Sequence, residues 1–418
     1  MRIISIKKAL TIVSRSDKNQ NVEPIQKIIA QVAKKGDSAL LSFEKKFNGV
    51  NVKNLLVSKK EIADAYKLVT KERIDAISEA KNRLTKTELA LKKQLKKITV
   101  LTNGTKITKY FEPLSSVGCY VPGGLARYPS SAIMSVVPAK LAGVETIVVV
   151  TPPNKQGKID PLVLVTADMC GAHSIFKVGG AHAIAALAIG TRSIPQVDKI
   201  VGPGGSFVTT AKYLITDMTS IDMLAGPTEL TILADDSANP KLVALDLISQ
   251  AEHSSDTKCV LITTSQTLAS KVSSEITKLL SIIPRKEIVR SSLQKNGFIA
   301  VGTISDAILL ANKIAPEHIQ IMTKNPNKIA RRIKTAGLIL LGQNTPSSAS
   351  DYLLGTNHIL PTNKFGRSRG SLSILDFLKI QTSIESSKSD LQKISKHLKL
   401  LTDSENLPNH YRTVRARL

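Results

Sequence analysis

The chain has no tryptophan, and aromatic residues make up only 4% of its 418 residues. Acidic side chains are scarce as well: Asp+Glu number 33 against Lys+Arg 58, a formal net charge of +25. Cysteine occurs only as Cys119, Cys170 and Cys259, with no CxxC spacing and an odd one out. That count excludes a disulfide framework and fits a reducing compartment. Each thiol lies in an apolar stretch (VGCYV, ADMCGA, KCVLI), the setting of buried structural cysteine rather than of a nucleophile. Long hydrophobic runs are missing too. The stretch from Ala183 to Ile189 is far short of the roughly 20 residues that cross a bilayer. Near the N-terminus Lys7, Lys8 and Arg15 interrupt every apolar run before a signal-peptide core can form. The expectation is a cytoplasmic protein with no membrane partner.

Apolar residues nevertheless make up 42% of the chain, enough to bury a core, and the length suggests two or three domains at roughly 100–200 residues each. Disordered and fibrous classes are excluded. The positive charge raises the question of a nucleic-acid partner. Much of it sits in lysine-rich helical segments, LKKQLKKI (91–98) and ISKHLKLL (394–401), without the arginine and aromatic residues that read and stack on bases. A solvated basic surface is the simpler reading, and nucleic acid is not expected as a partner.

The pattern along the chain changes character twice. Residues 20–98 read as helices. Pro24 opens one whose Ile25, Ile28, Ile29 and Val32 share a face, and Gly36 closes it. Ser58 and Glu61 form a capping box before Ile62, Tyr66 and Val69. Asn103-Gly104 in ITVLTNGTKIT (98–108) marks a hairpin with a type I′ turn. From about 115, short apolar strands alternate with glycine-rich turns and helices: TIVVV (146–150), SIFKV (174–178) and DKIV (198–201), then CVLITT (259–264), FIAVG (298–302), HIQIMT (318–323) and LILLG (338–342). Two such series predict an α/β protein with two Rossmann-like, doubly wound parallel-sheet domains, ligands lying at the carboxyl ends of the strands. An N-terminal helical segment and a C-terminal helical tail complete the expected architecture. The expected boundaries are 1–110 for the N-terminal helices and hairpin, 111–235 for the first α/β domain, 236–375 for the second with a long irregular loop (343–373), and 376–418 for the tail.

Several residues can carry chemistry. VGPGGSF (201–207) follows a strand and opens a helix, as phosphate-binding turns do, although neither GxGxxG nor a Walker motif is present. No HExxH or HxH pair predicts a zinc site by spacing. Gln250 and His253 stand three apart near the end of an amphipathic helix and project from one face. Glu317-His318 lies where a helix stops and a strand starts, a place for an exposed acid/base pair. Asp351 and His358 fall in the long irregular stretch. Taken singly, each is as well explained as a cap or a surface group, and composition and spacing give an α/β enzyme without a reaction.

Taken together, the segments are more specific. CYVPGG (119–124), PAKLAGV (138–144), VGGAHAIAALAIGT (178–191), VDKIVGPGG (197–205), IDMLAGPTEL (221–230), DLISQAEHS (246–254), APEHI (315–319), SDYLLGTNHILPT (350–362) and LTDSENLPNH (401–410) occur in order from about residue 20 to the C-terminus. The chain thereby resembles the histidinol dehydrogenase family, zinc-dependent and NAD-linked enzymes of the last step of histidine biosynthesis. The resemblance implies one zinc per subunit, held by Gln250, His253, Asp351 and His410. Four N/O donors without a thiolate suit a catalytic metal. It implies that L-histidinol is bound by Thr228, Gln250, His253, His318, Asp351, Glu405 and His410, and that the C-terminal tail reaches into the partner subunit's site in a swapped homodimer. His318 would take the hydroxyl proton and Glu317 would activate water in a four-electron oxidation through L-histidinal to L-histidine, with two NAD reduced.

Departures from the family pattern concentrate at the cofactor positions Tyr120, His182 and Gly205. Tyr120 is kept; His182 stands where the family has glutamine, and Gly205 where it has asparagine. Both lost groups are amides that donate and accept at once, so NAD affinity or cofactor preference is expected to change, by about 0.5–1.5 kcal/mol for one lost hydrogen bond; the alternative is that His182 stacks on the cofactor or pairs with its phosphates. Thr228 keeps the hydroxyl of the usual serine, while Ser347 and Ser350 replace a glutamate and a glycine. Two other readings compete: a related zinc alcohol dehydrogenase with another substrate, for example a polyol sulfonate, and a non-catalytic, basic nucleic-acid-binding relative.

Overall fold

The computed structural model describes residues 1–13, 22–123 and 127–418. Arg15 and Gly124, named above, lie outside the described residues. The chain opens with β1 (Arg2–Ser5) and reaches the helix Glu23–Lys35, where Pro24 sits in the first turn and Ile25, Ile28, Ile29 and Val32 are buried. Gly36 ends that helix with φ +52°, a conformation that favours glycine. Helix Lys59–Leu68 starts at the expected capping box: the Ser58 hydroxyl accepts the Glu61 amide, and the Glu61 carboxylate accepts the Ser58 amide. The hairpin also forms. β2 (Ile98–Thr102) and β3 (Thr105–Pro113) pair antiparallel across Asn103 (φ +50°) and Gly104 (φ +104°), the two positive φ angles of a type I′ turn.

Two parallel sheets follow. The first holds β4 (Ser116–Tyr120), β5 (Thr146–Thr151), β6 (Ser174–Lys177), β7 (Lys199–Val201) and β8 (Ser220–Ile221) in the order β6-β5-β4-β7-β8. The second adds β9 (Glu229–Ala234), β10 (Lys258–Thr263), β11 (Phe298–Val301), β12 (His318–Met322) and β13 (Leu338–Leu341) in the order β1-β11-β10-β9-β12-β13. Both are doubly wound, with the strand order reversing between β4 and β7 and between β9 and β12. Their sequences are nearly all apolar because both faces are covered. Ile147 and Val149 point into one core cluster and Val148 and Val150 into the other, each worth about 1.5–3 kcal/mol of burial.

Three features add to the expected architecture. β9 is a central strand of the second sheet, so that sheet begins before the expected boundary at 235. β1 crosses from the N-terminal segment to the edge of the same sheet, pairing with β11. The helical tail forms as Lys388–Ser404 and Pro408–Arg415, and it is preceded by β14 (Leu378–Ser386), which pairs with β3 over nine residues and builds a three-stranded antiparallel sheet. The period-two apolar residues Leu378, Ile380 and Ile384 are the signal that identifies this strand. The three cysteines are free and buried; burial pushes the Cys119 and Cys170 thiols up to about 12, which suits packing and not nucleophilic attack.

Candidate active site

The second sheet places its chemistry at the amino ends of its strands, and not at the expected carboxyl ends. Thr228 and Glu229 enter β9; Glu317 and His318 enter β12, the neighbouring strand, with His318 in register with Leu230. Helix Ile304–Ile314 stops at Ala315, whose φ of +49° turns the chain into β12. The Glu317-His318 pair is therefore buried, 7% and 2% exposed, where sequence suggested an exposed pair. The physical reason is parallel pairing on both sides: β12 lies between β9 and β13, so even its first residues are covered.

Hydrogen bonds run inward from the helix Pro240–Ala251. Gln250 Nε2 donates to Thr228 Oγ1 at 2.7 Å, and the Thr228 hydroxyl donates to Glu317 Oε2 at 2.5 Å. The Glu229 amide donates to the same carboxylate oxygen at 2.8 Å. Despite these donors, burial pushes the Glu317 carboxyl up to about 7, with the nearby Glu229 adding to the rise. A carboxyl tuned to that range is suited to general-base work at neutral pH. His318 reaches Asp351, with Nε2 3.3 Å from Oδ1, while its Nδ1 lies 3.8 Å from Glu317 Oε2. Burial opposes the imidazolium, but Glu317 and Asp351 outweigh it and raise the His318 pKa. Burial likewise opposes the Asp351 carboxylate, and His318, His358 and His253 hold its pKa down.

Asp351 follows the short helix Ser347–Ser350, and His358 Nδ1–H donates to its carbonyl at 2.7 Å. Ser347 donates to Gln250 Oε1 at 3.4 Å, tying the irregular loop to the helix that carries Gln250. Asp351 thus touches both His318 and His358, and its loop is tied to Gln250. Burial holds the His253 pKa down, although the Asp351 carboxylate favours its charged form. Glu229 is a buried neighbour that sequence reasoning did not single out; its Oε1 pairs with Lys258 Nζ at 3.3 Å.

The buried polar atoms without a hydrogen-bond partner include both ring nitrogens of His318 and Oδ1 of Asp351. Unmade bonds at buried polar atoms are costly, so such a cluster marks a place that a ligand completes. Among the described residues, no group of three or more His, Cys, Asp or Glu side chains is placed to hold a metal ion. Of the four expected ligands, Gln250 and His253 stand three apart at and just beyond the end of helix Pro240–Ala251, and Ser347 ties the loop that carries Asp351 to Gln250. An amide oxygen, an imidazole and a carboxylate are donor types that suit zinc. His410 and Glu405 do not join them. Both are exposed, Glu405 at the end of helix Lys388–Ser404 and His410 on helix Pro408–Arg415, which buries no residue.

The first sheet uses its carboxyl ends. Tyr120 ends β4 and the turn Gly202–Gly205 follows β7, so they flank the point where strand order reverses. Gly205 is the N-cap of helix Ser206–Leu214 and provides no side-chain cap, which leaves first-turn amides free for an anionic group. A Cβ at Gly205 would meet nothing within 4 Å, so the place of a side chain is open space beside the turn. The Tyr120 hydroxyl accepts the Gly180 amide at 3.1 Å. These features fit a bound dinucleotide.

His182 lies beside the Gly179-Gly180 turn. It is 2% exposed, and its Nε2–H donates to Oε1 of the wholly buried Glu44 at 2.9 Å. The Glu44 carboxylate also accepts the Gly179 amide at 2.8 Å and the Asn48 side chain at 2.6 Å. Phe43 and Phe47 stand 5.5 and 6.1 Å from the imidazole, ring centre to ring centre. With its ring packed and Nε2 committed to Glu44, which also accepts the Gly179 amide, His182 supports the Gly179-Gly180 turn.

Comparison with known proteins agrees with this geometry. The family model for histidinol dehydrogenase matches residues 13–418. The chain is 42% identical over 394 residues to the histidinol dehydrogenase of Methanocaldococcus jannaschii, covering 94% of this chain and 92% of the relative. It is 42% identical over 417 residues to that of Bacillus cereus, covering 98% and 97%. The crystal structure of histidinol dehydrogenase from Elizabethkingia anophelis superposes with a TM-score of 0.94 at 33% identity, covering 100% of this chain and 98% of that one.

Proposed function

The chain belongs to the histidinol dehydrogenase family, and from that premise we propose that it oxidises L-histidinol through L-histidinal to L-histidine, the last step of histidine biosynthesis, with NAD as hydride acceptor. The observation that carries this reading is the buried Glu317-His318 pair, with unpartnered ring nitrogens, beside Asp351 and linked through Thr228 to Gln250. Among the described residues no helix is long and apolar enough to cross a membrane, and we place the reaction in the cytoplasm.

Zinc would be held by Gln250, His253 and Asp351, with His410 of the partner subunit as fourth ligand, and when bound it supplies a Lewis acid that fixes the amino and imidazole nitrogens of the substrate. His318 accepts the hydroxyl proton as the carbinol C–H leaves as hydride, giving the aldehyde. Glu317, ionised near neutrality, then takes a proton from water as its oxygen adds to the aldehyde carbon; loss of a second hydride and the remaining hydroxyl proton leaves the carboxylate. Thr228 holds Glu317 in place through its hydroxyl and contributes to the substrate pocket together with Glu405 of the partner subunit. Because the site is covered, the reactive aldehyde stays enclosed between the two oxidations.

A homodimer is supported by what the chain leaves uncovered. Ile98, Val100, Ile380 and Ile384 lie on one face of the antiparallel sheet and remain exposed, as do Leu400, Leu401 and Leu407 around the tail helices. Glu405 and His410 stand on that same tail.

The test is NADH formation at 340 nm by zinc-loaded protein with limiting L-histidinol and excess NAD. Two NADH per histidinol is the expected result; none, with zinc bound and the dimer intact, would assign the scaffold to another alcohol. Mixing Asp351→Ala and His410→Ala protomers tests the shared site. Activity should return in the mixture although each parent is inactive, and its failure to return in proven mixed dimers would place both ligands in one chain.

A further inference from the structure

The first lobe buries a cation and an anion that the reaction scheme does not use. Lys212, on helix Ser206–Leu214, is 1% exposed, and Asp222, just after β8, is buried as well. The Lys212 ammonium donates to Asp222 Oδ1 and, at 3.0 Å, to the Gly202 carbonyl. Asp222 Oδ2 accepts the Gly202 amide at 2.8 Å, and Oδ1 accepts the Met223 amide at 2.5 Å. Both polar groups of Gly202 are therefore held by one ion pair.

Gly202 is the first residue of the turn after β7. Its φ is +117°, and a Cβ there would lie 2.1 Å from the Tyr120 carbonyl, so the turn is pressed against the end of β4. On its other side Asp222 is anchored by Arg369, which donates to the Asp222 carbonyl and, at 2.8 Å, to Asp376. From Asp222 the chain runs directly to Thr228, whose hydroxyl bonds Glu317. A buried ion pair is a poor source of stability, since desolvation offsets its attraction and apolar replacements often do as well. Hydrocarbon, however, cannot supply directional bonds to a peptide group.

We propose that Lys212 and Asp222 form a positioning clamp that holds the Gly202–Gly205 cofactor turn in fixed register with the 222–228 segment leading to Glu317. The inference rests on the NAD reading above. The clamp bonds the cofactor turn directly, whereas Thr228 at the far end of the segment is held by its own bonds to Gln250 and Glu317, so loss of the clamp acts on cofactor binding and leaves histidinol binding in place.

Three variants test it: Lys212→Met, Asp222→Asn and the uncharged pair K212M/D222N, in which asparagine can still accept the Gly202 amide. The measurements are thermal unfolding, bound zinc, the Kd of NADH from its fluorescence, the Kd of L-histidinol from calorimetry, and KM and kcat. K212M alone strands a buried carboxylate and should unfold at a markedly lower temperature. In K212M/D222N the unfolding temperature should recover, zinc content and histidinol affinity should stay within about twofold of wild type, and the NADH Kd and the KM for NAD should remain raised about tenfold, the loss expected of one or two hydrogen bonds. Recovery of NADH affinity together with stability would make the pair purely structural and overturn the proposal, as would failure of every variant to fold. Wild-type protein that binds histidinol but not NADH would instead overturn the cofactor reading, and the clamp's role with it.

Discussion

The two parallel sheets share a winding pattern and differ in how they treat buried polar atoms. In the first, Lys212, Asp222, His182 and Glu44 are all buried and all hydrogen-bonded. In the second, unpartnered buried atoms occur on Glu229, His318, Gln320, Thr323 and Asp351, each on a strand of that sheet, just after one, or in the loop beside it. Polar groups satisfied by the chain itself build a scaffold; those left unsatisfied cost free energy that binding can recover. The sheets differ in polarity too. The first presents the carboxyl ends of β4 and β7 and the second the amino ends of β9 and β12, and residues 222–228 join the two edges. A short segment of chain thereby joins two poles, the satisfied turn after β7 and the unsatisfied Glu317-His318 pair.

The largest effects should come from the unsatisfied pole. His318→Asn is expected to lower kcat by about 10²–10⁴. Glu317→Gln should reduce oxidation of L-histidinal by a similar factor while sparing the first hydride transfer. Separate single-turnover assays on alcohol and aldehyde distinguish the two, and equal losses in both would remove the division of roles. Asp351→Ala should weaken zinc binding by at least the roughly 10–100-fold seen for outer-shell partners, read as metal content after dialysis. Unchanged zinc would mean that the unpartnered Oδ1 does not mark a metal position.

The satisfied pole should respond in stability rather than in metal content. His182→Ala leaves Glu44 short of a donor and should cost about 1–3 kcal/mol, measured by urea unfolding, with zinc retained. The pH dependence sharpens the contrast at the other pole. Glu317 acts as a base only when ionised, so aldehyde oxidation should rise about tenfold per pH unit below about 7 and level off above. The Thr228 hydroxyl stabilises the ionised form, so Thr228→Val should move that limb to higher pH by about one unit, or about 1.4 kcal/mol. A limb that stays in place would separate the hydroxyl from Glu317. The smallest change is Gly205→Asn. With open space at the Cβ and an ordinary negative φ, the substitution should fold normally and alter NADH affinity by about one hydrogen bond, 0.5–1.5 kcal/mol.

Much of this molecule was legible before its structure. Pro24, the Ser58-Glu61 box and Asn103-Gly104 act through bonds to near neighbours, so they mark the same boundaries in sequence and in space. The strands buried on both faces were equally plain. β1 and β14 were not, because each pairs with a partner hundreds of residues away and β14 leaves most of its residues exposed. The site residues were legible as a set of motifs. Their environment was not: the buried state of Glu317-His318 depends on flanking strands, and the pairing of His182 with Glu44 joins residues 138 apart.

Residue order alone specifies the inventory: two doubly wound α/β units, glycine-rich turns, three inert thiols, and a Gln, His, Asp and Glu-His set that resembles one family. Tertiary structure decided which end of each sheet carries chemistry, which buried charges are answered within the chain, and that Glu405 and His410 stay apart from the residues they resemble partners of. The reason is range. Periodicity and capping act over a few residues, whereas the Thr228–Glu317 and Ser347–Gln250 contacts span 89 and 97, and burial and pKa follow from such contacts alone.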